Sequence, residues 1–225
     1  MNPVLSCQEL CCERANWNEG RPASLHGITL SFLPATFCQF DGPDSPGRDL
    51  LLNALGLLEP ADSGTIVVDG RNVMELPEDE LRRHRNKSFG FLFEHPCLLP
   101  SFSVAENVAM PLFRICGTDA QAARERTHEV LDFCGIPQLE NQLAGRLTLG
   151  DQRKAALARA LVHRPKILVA ISRRGSDELF DLALRATSER QLCVLWAGSD
   201  EGVHRKSPRV LHLQDGRIRI DQTTA

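Results

Sequence analysis

The stretch Asp41-Gly-Pro-Asp-Ser-Pro-Gly-Arg-Asp49 joins an apolar run, residues 37–40, to a helix-like run, residues 50–58. A phosphate-binding loop has the same context, between a strand and a helix, and contains two glycines separated by four residues. Gly42 and Gly47 have that spacing. The stretch therefore predicts a strand, a loop and a helix in succession, as at the start of an α/β fold.

The chemistry of this loop differs from that of a phosphate-binding loop. Such a loop continues with a lysine that reaches the phosphates and a serine or threonine that coordinates magnesium, but Arg48 and Asp49 occupy these positions. Asp41 and Asp44 add carboxylates, each of which costs on the order of 4 kcal/mol at about 4 Å from a phosphate oxygen and an effective dielectric constant of roughly 20. Pro46 lacks the backbone N–H that an anion cradle uses.

Two interpretations of the loop stay open at this point. It is either a weakened nucleotide-binding loop or a polar turn before a helix, with no ligand. In the first interpretation the candidate nucleotide-contacting residues are Gly42, Pro43, Asp44, Ser45, Pro46, Gly47, Arg48 and Asp49.

Length and composition favour one globular unit. The chain has 225 residues, of which 42% are hydrophobic, enough for a sizeable buried core. Its net charge of −3 gives no reason to expect nucleic-acid binding. There is no apolar run of about 18 residues and no basic, then apolar, leader. We therefore expect any membrane association to go through a partner.

The cysteines and histidines show no metal-binding pattern. The eight cysteines contain no pair in the spacing of a zinc or redox site, and the seven histidines have no ligand spacing either. We expect no metal site. Cys38 and Cys193 lie in apolar contexts, where free thiols pack as small hydrophobic groups in a reducing cytoplasm.

Periodicity predicts strands that alternate with helices. Alternation within residues 25–41 indicates antiparallel strands leading into a central strand. Helices are predicted at 120–134, closed by Gly135 and Pro137, and at 149–162. Further strands are predicted at 65–70, 89–93, 166–171, 192–196 and 209–213. We expect one domain over residues 1–225, with a mainly parallel sheet, an antiparallel β region and a helical subdomain near 95–150.

Several segments together resemble the ATP-binding subunit of ABC transporters over nearly the whole chain. The most similar type is that of lipoprotein-releasing systems and macrolide exporters. The resemblance implies an α/β, P-loop NTPase-like core of the ABC ATPase kind. The segments that carry it are residues 51–65, 68–70, 85–86, 89–91, 98–100, 106–112 and 156–162, together with Pro165.

The resemblance assigns roles to two residues outside the loop. Trp17 stands where the family stacks adenine on an aromatic ring, although it could instead cover the core. Glu94 stands in place of the glutamine that senses magnesium and contacts the transporter's cytoplasmic helices. An ionised glutamate cannot donate a hydrogen bond, so the exchange alters that contact.

The family's signature motif is also changed. It reads Leu-Ser-Gly-Gly followed by glutamine or glutamate, and in this chain the five positions are Leu147, Thr148, Leu149, Gly150 and Asp151. Thr148 keeps the hydroxyl. Leu149 places a bulky side chain where backbone should approach the γ-phosphate of the opposing subunit.

The positions that serve hydrolysis carry other residues. Aligned on the apolar run 167–170, the Walker B aspartate and the following glutamate correspond to Ile171 and Ser172, and the switch histidine to Ser199. Isoleucine has no atom that binds magnesium, and serine at neutral pH is no general base without a partner. We therefore expect no catalytic residues.

The resemblance and these substitutions together imply an ABC-type ATP-binding subunit that has lost hydrolysis. Its expected partners are a membrane permease, a second ABC ATPase with intact motifs, or both, in export of a lipid, lipoprotein or drug-like substrate. We expect at most weak ATP binding without Mg²⁺, a dimer, and a cytoplasmic position beside the membrane. Two alternatives stay open: an active ABC ATPase that energises transport, and a soluble regulatory module on the same fold.

Overall fold

The computed structural model describes residues 2–17, 21–42, 45–171, 177–198 and 207–223, with the backbone alone at 16, 17, 21 and 45. A six-stranded sheet lies at its centre, in the order β10-β9-β3-β8-β7-β6. All neighbouring strands are parallel except β9 and β10. The predicted mainly parallel sheet is thus confirmed. Its strands are β3 (Phe37–Asp41), β6 (Phe89–Leu92), β7 (Ile167–Ile171), β8 (Cys193–Ala197), β9 (Arg209–Gln214) and β10 (Arg217–Thr223).

A second, antiparallel sheet has the order β2-β1-β4-β5. The prediction of antiparallel strands before residue 41 and of a strand near 65–70 is confirmed, whereas β1 was not predicted. In β1 the regular alternation of side chains is broken by a register shift between Cys7 and Leu10, and Glu9 has φ +48° there. The strands are β1 (Leu5–Trp17), β2 (Arg21–Phe32), β4 (Ser63–Val68) and β5 (Arg71–Asn72).

The helices cover both faces of the central sheet. The predicted helices near 120–134 and 149–162 are confirmed. Asp119 caps the first by accepting a hydrogen bond from the Ala122 N–H, and Thr148 caps the second by accepting from the Asp151 N–H. The helices are α1 (Ser45–Leu55), α2 (Glu78–Ser88), α3 (Val104–Pro111), α4 (Ala120–Phe133), α5 (Leu149–Leu161) and α6 (Asp177–Glu189), with a π-helical turn at Leu112–Cys116 after α3.

Two apolar clusters lie on opposite faces of the central sheet. Successive side chains of a strand point to opposite faces, and along β7 Ile167 and Val169 belong to one cluster while Leu168 and Ala170 belong to the other. The first cluster contains α1 and the antiparallel sheet, and the second contains residues of α3 to α6. A subdomain near 95–150 within a single domain stays a prediction.

The buried cysteines behave as the sequence predicts. Cys38 and Cys193 are fully buried free thiols, and burial raises the pKa of the Cys193 thiol to about 12. Burial likewise raises the pKa of Cys7 to about 11. These thiols are therefore neutral and serve as small apolar groups.

Within the described ranges, no helix has both the length and the apolar character needed to cross a membrane.

Candidate functional site

The topology brings three of the predicted site segments to one edge of the central sheet. Strands β3, β8, β7 and β6 are neighbours and run in the same direction. Their carboxyl ends therefore lie side by side, at the edge where open parallel sheets bind ligands. Gly42 follows β3, Ile171 ends β7, and Glu94 comes just after β6.

Gly42 is required by the backbone itself. It has φ +116°, and a Cβ atom placed on it would lie 2.1 Å from the carbonyl oxygen of Leu213 on β9. No side chain fits there, whatever the loop binds. The first glycine of the motif thus has a structural reason that is independent of phosphate.

Helix α1 begins at Ser45, earlier than the apolar run 50–58 predicts. Pro46 fits within the first helical turn, where its missing N–H breaks no helical hydrogen bond. Arg48 is only 3% exposed and Asp49 only 2%, so both charged side chains are buried at the start of α1. Pro43 and Asp44 lie outside the described residues.

Asp41 is the last residue of β3. Its carboxylate lies 3.8 Å from Nδ1 of His212 on the adjacent strand β9. Asp41 therefore belongs to the carboxyl-end edge of the central sheet, where the loop begins.

Glu94 is brought to the signature helix. Its Oε1 lies 3.5 Å from Nη2 of Arg153 on α5, and both side chains are partly buried. The ion pair joins the loop after β6 to the helix that starts with the signature. Sequence reasoning missed Arg153, although it lies two residues after Asp151 in the same helix.

The signature residues form the start of α5. Leu147 is buried, and the hydroxyl of Thr148 donates to Oδ2 of Asp151 at 2.7 Å while accepting from the Asp151 N–H at 3.2 Å. The hydroxyl is thus engaged within its own turn. Leu149 is 54% exposed, and a Cβ placed on Gly150 would meet only the Thr148 hydroxyl, at 3.8 Å. The motif therefore presents an apolar side chain to solvent.

Ile171 is the last residue of β7, where it is paired with Ala197 of β8 and packs against the first apolar cluster. Trp17 ends β1 opposite Arg21, and its side chain lies outside the description. Ser172 and Ser199 lie outside the described residues as well. Among the described residues, no group of three or more His, Cys, Asp and Glu side chains is placed to hold a metal ion.

Sequence reasoning also missed the polar side chains that hold the loops beside the site. Arg159 of α5 donates to the carbonyl oxygens of Pro96 and Cys97, at 2.8 and 2.7 Å. Asn107 of α3 is fully buried and bonds the backbone of residues 99–103. The only sequence signal was their position within segments that carry the family resemblance.

The fold and the strand-end loop define an α/β protein of the P-loop NTPase-like class. The family description "ABC transporter" matches residues 25–170. Two relatives show the same family over most of the chain. A lipoprotein-releasing system ATP-binding protein, LolD, from Bacteroides thetaiotaomicron is 32% identical over 203 residues, covering 88% of this chain and 93% of the relative. LolD 2 from Caulobacter vibrioides is 32% identical over 228 residues, covering 98% and 99%. The chain belongs to the ABC transporter family of ATP-binding proteins.

Solved structures agree on the fold. MJ0796, a bacterial ABC transporter cassette solved as a dimer, has a TM-score of 0.84 at 24% identity, with 97% of this chain and 98% of that chain covered. The same cassette has also been solved in a post-hydrolysis state bound to ADP and Pi. CbiO1 from Clostridium perfringens, part of the transporter complex cbiONQ, has a TM-score of 0.85 at 22% identity, with 99% and 89% covered. The predicted ABC ATPase fold is thus confirmed.

Proposed function

We propose that this chain is the ATP-binding-type subunit of a lipoprotein-releasing kind of ABC transporter and that it no longer hydrolyses ATP by itself. The type of transporter rests on the names of the relatives, which are ATP-binding proteins of lipoprotein-releasing systems. The loss of hydrolysis rests above all on Ile171. Ile171 is the last residue of β7, and the family resemblance assigns the magnesium ligand to this position.

The site fits magnesium poorly because the residues that would hold the ion are wrong in kind or position. A carboxylate at a strand end and a hydroxyl in the loop hold the ion in P-loop enzymes. Ile171 offers no ligand atom, and Asp49 is only 2% exposed. Without the metal, the charge of a transferred phosphoryl group is not neutralised.

The triphosphate itself also meets an unfavourable loop. Arg48 is the cation nearest in sequence to the phosphate position, and it is 3% exposed. The carboxylates of Asp41 and Asp49 lie on either side of the loop. Since like charges repel most strongly where water is excluded, ATP is expected to bind weakly or not at all.

The exposed Leu149 argues against a homodimer in which two copies of this chain complete each other's nucleotide site. A glycine backbone normally approaches the γ-phosphate of the opposing subunit, whereas Leu149 projects into solvent at the start of α5. Its bulk blocks such an approach. In the heterodimer that we propose, this leucine would be buried against the opposing ABC ATPase without its backbone reaching the γ-phosphate of that subunit.

An exposed apolar patch supports a membrane subunit as partner. Leu99, Phe102 and Leu143 are exposed and lie close together, because Leu99 O accepts from Phe102 N–H at 3.1 Å and Leu143 bridges to Ser103. Clustered exposed apolar side chains mark interaction surfaces. We propose that this patch faces a membrane permease and that the chain is peripheral to the membrane through it.

A magnesium-dependent ATPase assay tests the loss of hydrolysis. The purified chain is expected to give no turnover above the buffer background, and the variant Arg48→Ala is expected to give the same result. Turnover in the wild type that Arg48→Ala abolishes would overturn the proposal and would identify the chain as an active ABC ATPase.

A pull-down from detergent-solubilised membranes of the source cells tests the partner. The tagged chain is expected to recover a membrane-spanning subunit, and Phe102→Asp is expected to lose it while the matched surface variant Arg124→Asp keeps it. A chain recovered alone, with no membrane-spanning or ABC subunit, would instead support the soluble module.

A further inference from the structure

A cleft of about 790 Å³ lies between α2, the π-helical turn Leu112–Cys116 and the connection from α5 to β7. Sites for organic small molecules have volumes of about 300–1,000 Å³, so the cleft has the size of a small-molecule site. Five cationic side chains line it, against one carboxylate. We call it the basic cleft and define it by Arg83, Lys87, Arg114, Arg164, Lys166 and Asp69.

The basic cleft is separate from the strand-end site. Helix α2 runs directly into β6, and Lys166 directly precedes β7, so the cleft lies at the amino ends of these strands. The strand-end site lies at their carboxyl ends, about 13 Å away for a four-residue strand such as β6. A ligand of the cleft therefore does not occupy the nucleotide position.

The positive charge of the cleft is not balanced by the protein. Lys166 is paired with Asp69. The carboxylate that pairs with Arg164, at 2.9 Å, is that of Glu129, which also pairs with Arg190 at 3.3 Å. The other three cations form no ion pair with any residue in the described part of the chain, and all three are exposed: Arg83, Lys87 and Arg114.

Helix electrostatics explain only part of this arrangement. Lys87 lies in the last turn of α2, where the helix dipole favours a cation. Arg83 lies four residues earlier on the same face, and like charges at this spacing destabilise a helix. Arg114 comes to the same cleft from a different element. No dipole accounts for this convergence of cations, whereas an anion bound between the walls would relieve their repulsion.

The kinds of side chain in the cleft favour phosphoryl groups on an organic body. Three of the five cations are arginines, whose paired N–H donors match the oxygens of a phosphate. Cations on α2 and on the opposite walls provide for two such groups. Between them, Ile115 offers an apolar contact and Asn86 an amide that donates and accepts hydrogen bonds. These side chains suit a hydroxylated carbon skeleton better than a bare inorganic anion.

We propose that the basic cleft binds a small organic bisphosphate, a molecule in which a polar carbon skeleton carries two phosphoryl groups. A soluble bisphosphate and the head group of a lipid that carries two phosphates share this chemistry. The cleft is a second ligand site, which goes beyond the proposed function. It does not depend on whether the chain hydrolyses ATP or on which partner it joins.

Calorimetry with the full chain tests the ligand class. The soluble probe is fructose 1,6-bisphosphate, and inorganic phosphate is its comparison. We expect one molecule of the bisphosphate to bind per chain, at least roughly tenfold more tightly than inorganic phosphate, because the second phosphoryl group binds at high effective concentration once the first is held. The affinity should fall as the salt concentration rises.

Charge reversal locates the bound probe. Arg83→Glu combined with Arg114→Glu is expected to weaken binding of the bisphosphate roughly tenfold or more, since repulsion replaces two charge pairs. Lys87→Gln, a milder change, should weaken it roughly threefold. Arg124→Glu combined with Arg146→Glu changes the net charge equally at exposed positions outside the cleft, and it should bind as wild type does. Circular dichroism confirms that each variant folds.

His163 gives an independent readout of charge in the cleft, which it lines together with His84 and the charged groups that define the cleft. Burial lowers the pKa of His163, although the hydrogen bond to the Phe89 carbonyl, 3.0 Å from its Nε2, opposes this. A nearby anion favours the charged imidazolium. The pKa of His163, followed by NMR, should therefore rise when the bisphosphate saturates the chain and should stay unchanged with the Arg83→Glu, Arg114→Glu variant.

The remaining outcomes identify the source of the ligand or overturn the inference. Binding to vesicles that contain cardiolipin, whose head group has two phosphates, but not to fructose 1,6-bisphosphate would assign the site to lipid, provided that charge reversal abolishes it. The inference is wrong if neither probe binds, if inorganic phosphate binds as tightly as the bisphosphate, or if charge reversal weakens binding no more than the control does. Loss of a protein partner on charge reversal, with no bisphosphate binding, would also overturn it. None of these results bears on the ATPase assay or the pull-down, so the proposed function stands or fails separately.

Discussion

Asn107 gives the sharpest test of how the proposed docking surface is held in place. Its side chain is fully buried, and its Oδ1 accepts from the Leu99 N–H at 2.7 Å. Its Nδ2 donates to the carbonyl oxygens of Ser103 at 2.9 Å and Leu99 at 3.1 Å. One amide thus fixes the backbone that carries Leu99 and Phe102. We predict that Asn107→Ala loosens this segment and destabilises the protein.

The expected loss follows from these three hydrogen bonds. Each contributes about 1 kcal/mol net, and leaving backbone groups without partners adds to the cost, so the free energy of unfolding should fall by about 3–4 kcal/mol. Asn53→Ala is the matched control, because Asn53 donates one hydrogen bond, to the Asp49 carbonyl at 2.8 Å. Its loss should be about 1 kcal/mol. Urea unfolding measures the loss of stability in both variants. Hydrogen exchange at the Leu99 amide should become faster only in Asn107→Ala.

Asn107→Asp distinguishes hydrogen bonding from packing. The aspartate keeps the size and the acceptor for Leu99 N–H but cannot donate while ionised, so it should be at least as unstable as Asn107→Ala at pH 7. Burial raises the pKa of such a carboxyl, and a raised folded-state pKa makes the variant gain stability as the pH falls. The difference in unfolding free energy between Asn107→Asp and Asn107→Ala should therefore narrow towards pH 5. A loss below about 1 kcal/mol for Asn107→Ala, or wild-type stability of Asn107→Asp at pH 7, would refute the reasoning.

Three further predictions concern the strand-end loop, a surface ion pair and the ligand. Gly42→Ala should lower the free energy of unfolding by at least about 3 kcal/mol, because its Cβ would lie 2.1 Å from the carbonyl oxygen of Leu213. The control is Gly70→Ala, where φ is +78° but nothing lies within 4 Å of the added Cβ. It should cost only about 1 kcal/mol in urea unfolding. Arg209 lowers the pKa of Asp221 from 3.8, so Asp221→Asn should be less stable than wild type by about 0.5–1 kcal/mol at pH 7. Because this stabilisation is lost as the pH falls through the lowered pKa, the difference should vanish in strongly acidic urea unfolding, and a gap that persists there would contradict it. ATP binding measured by calorimetry should depend little on Mg²⁺, and a strict magnesium requirement would count against the proposed site.

The fold was predictable where one physical signal dominated the sequence. Strands β7 and β8 are short, continuous apolar runs, as expected for parallel strands buried on both faces. Helix α4 has both apolar periodicity and end signals. Helix α2 was missed because it has no apolar stripe: of its eleven residues only Ser88 is buried. Its stability comes from charges that favour its ends, acidic in the first turn and basic in the last, which is a weaker sequence signal.

The site was predictable as a set of sequence positions but not as a set of contacts. Motif spacing predicted Gly42, the family resemblance assigned Glu94 and Ile171, and parallel pairing then explains why the three share one edge. Nothing in the spacing indicates that Glu94 meets Arg153, or that Asn107 bonds a loop four to eight residues before it. Such contacts depend on how α3 and α5 pack, which is tertiary information.

Gly42 and Ile171 together show how to weigh a motif that is only partly present. The glycine is required by the close approach of Leu213, so its presence would be expected even if no phosphate ever bound. The residue at the end of β7 has no such backbone constraint, since an aspartate and an isoleucine both fit a strand end that is partly buried. Its side chain therefore reports on the ligand, and Gly42 does not. On this reasoning the outline of the loop supports the fold, while Ile171 supports our proposal that magnesium binding and hydrolysis have been lost.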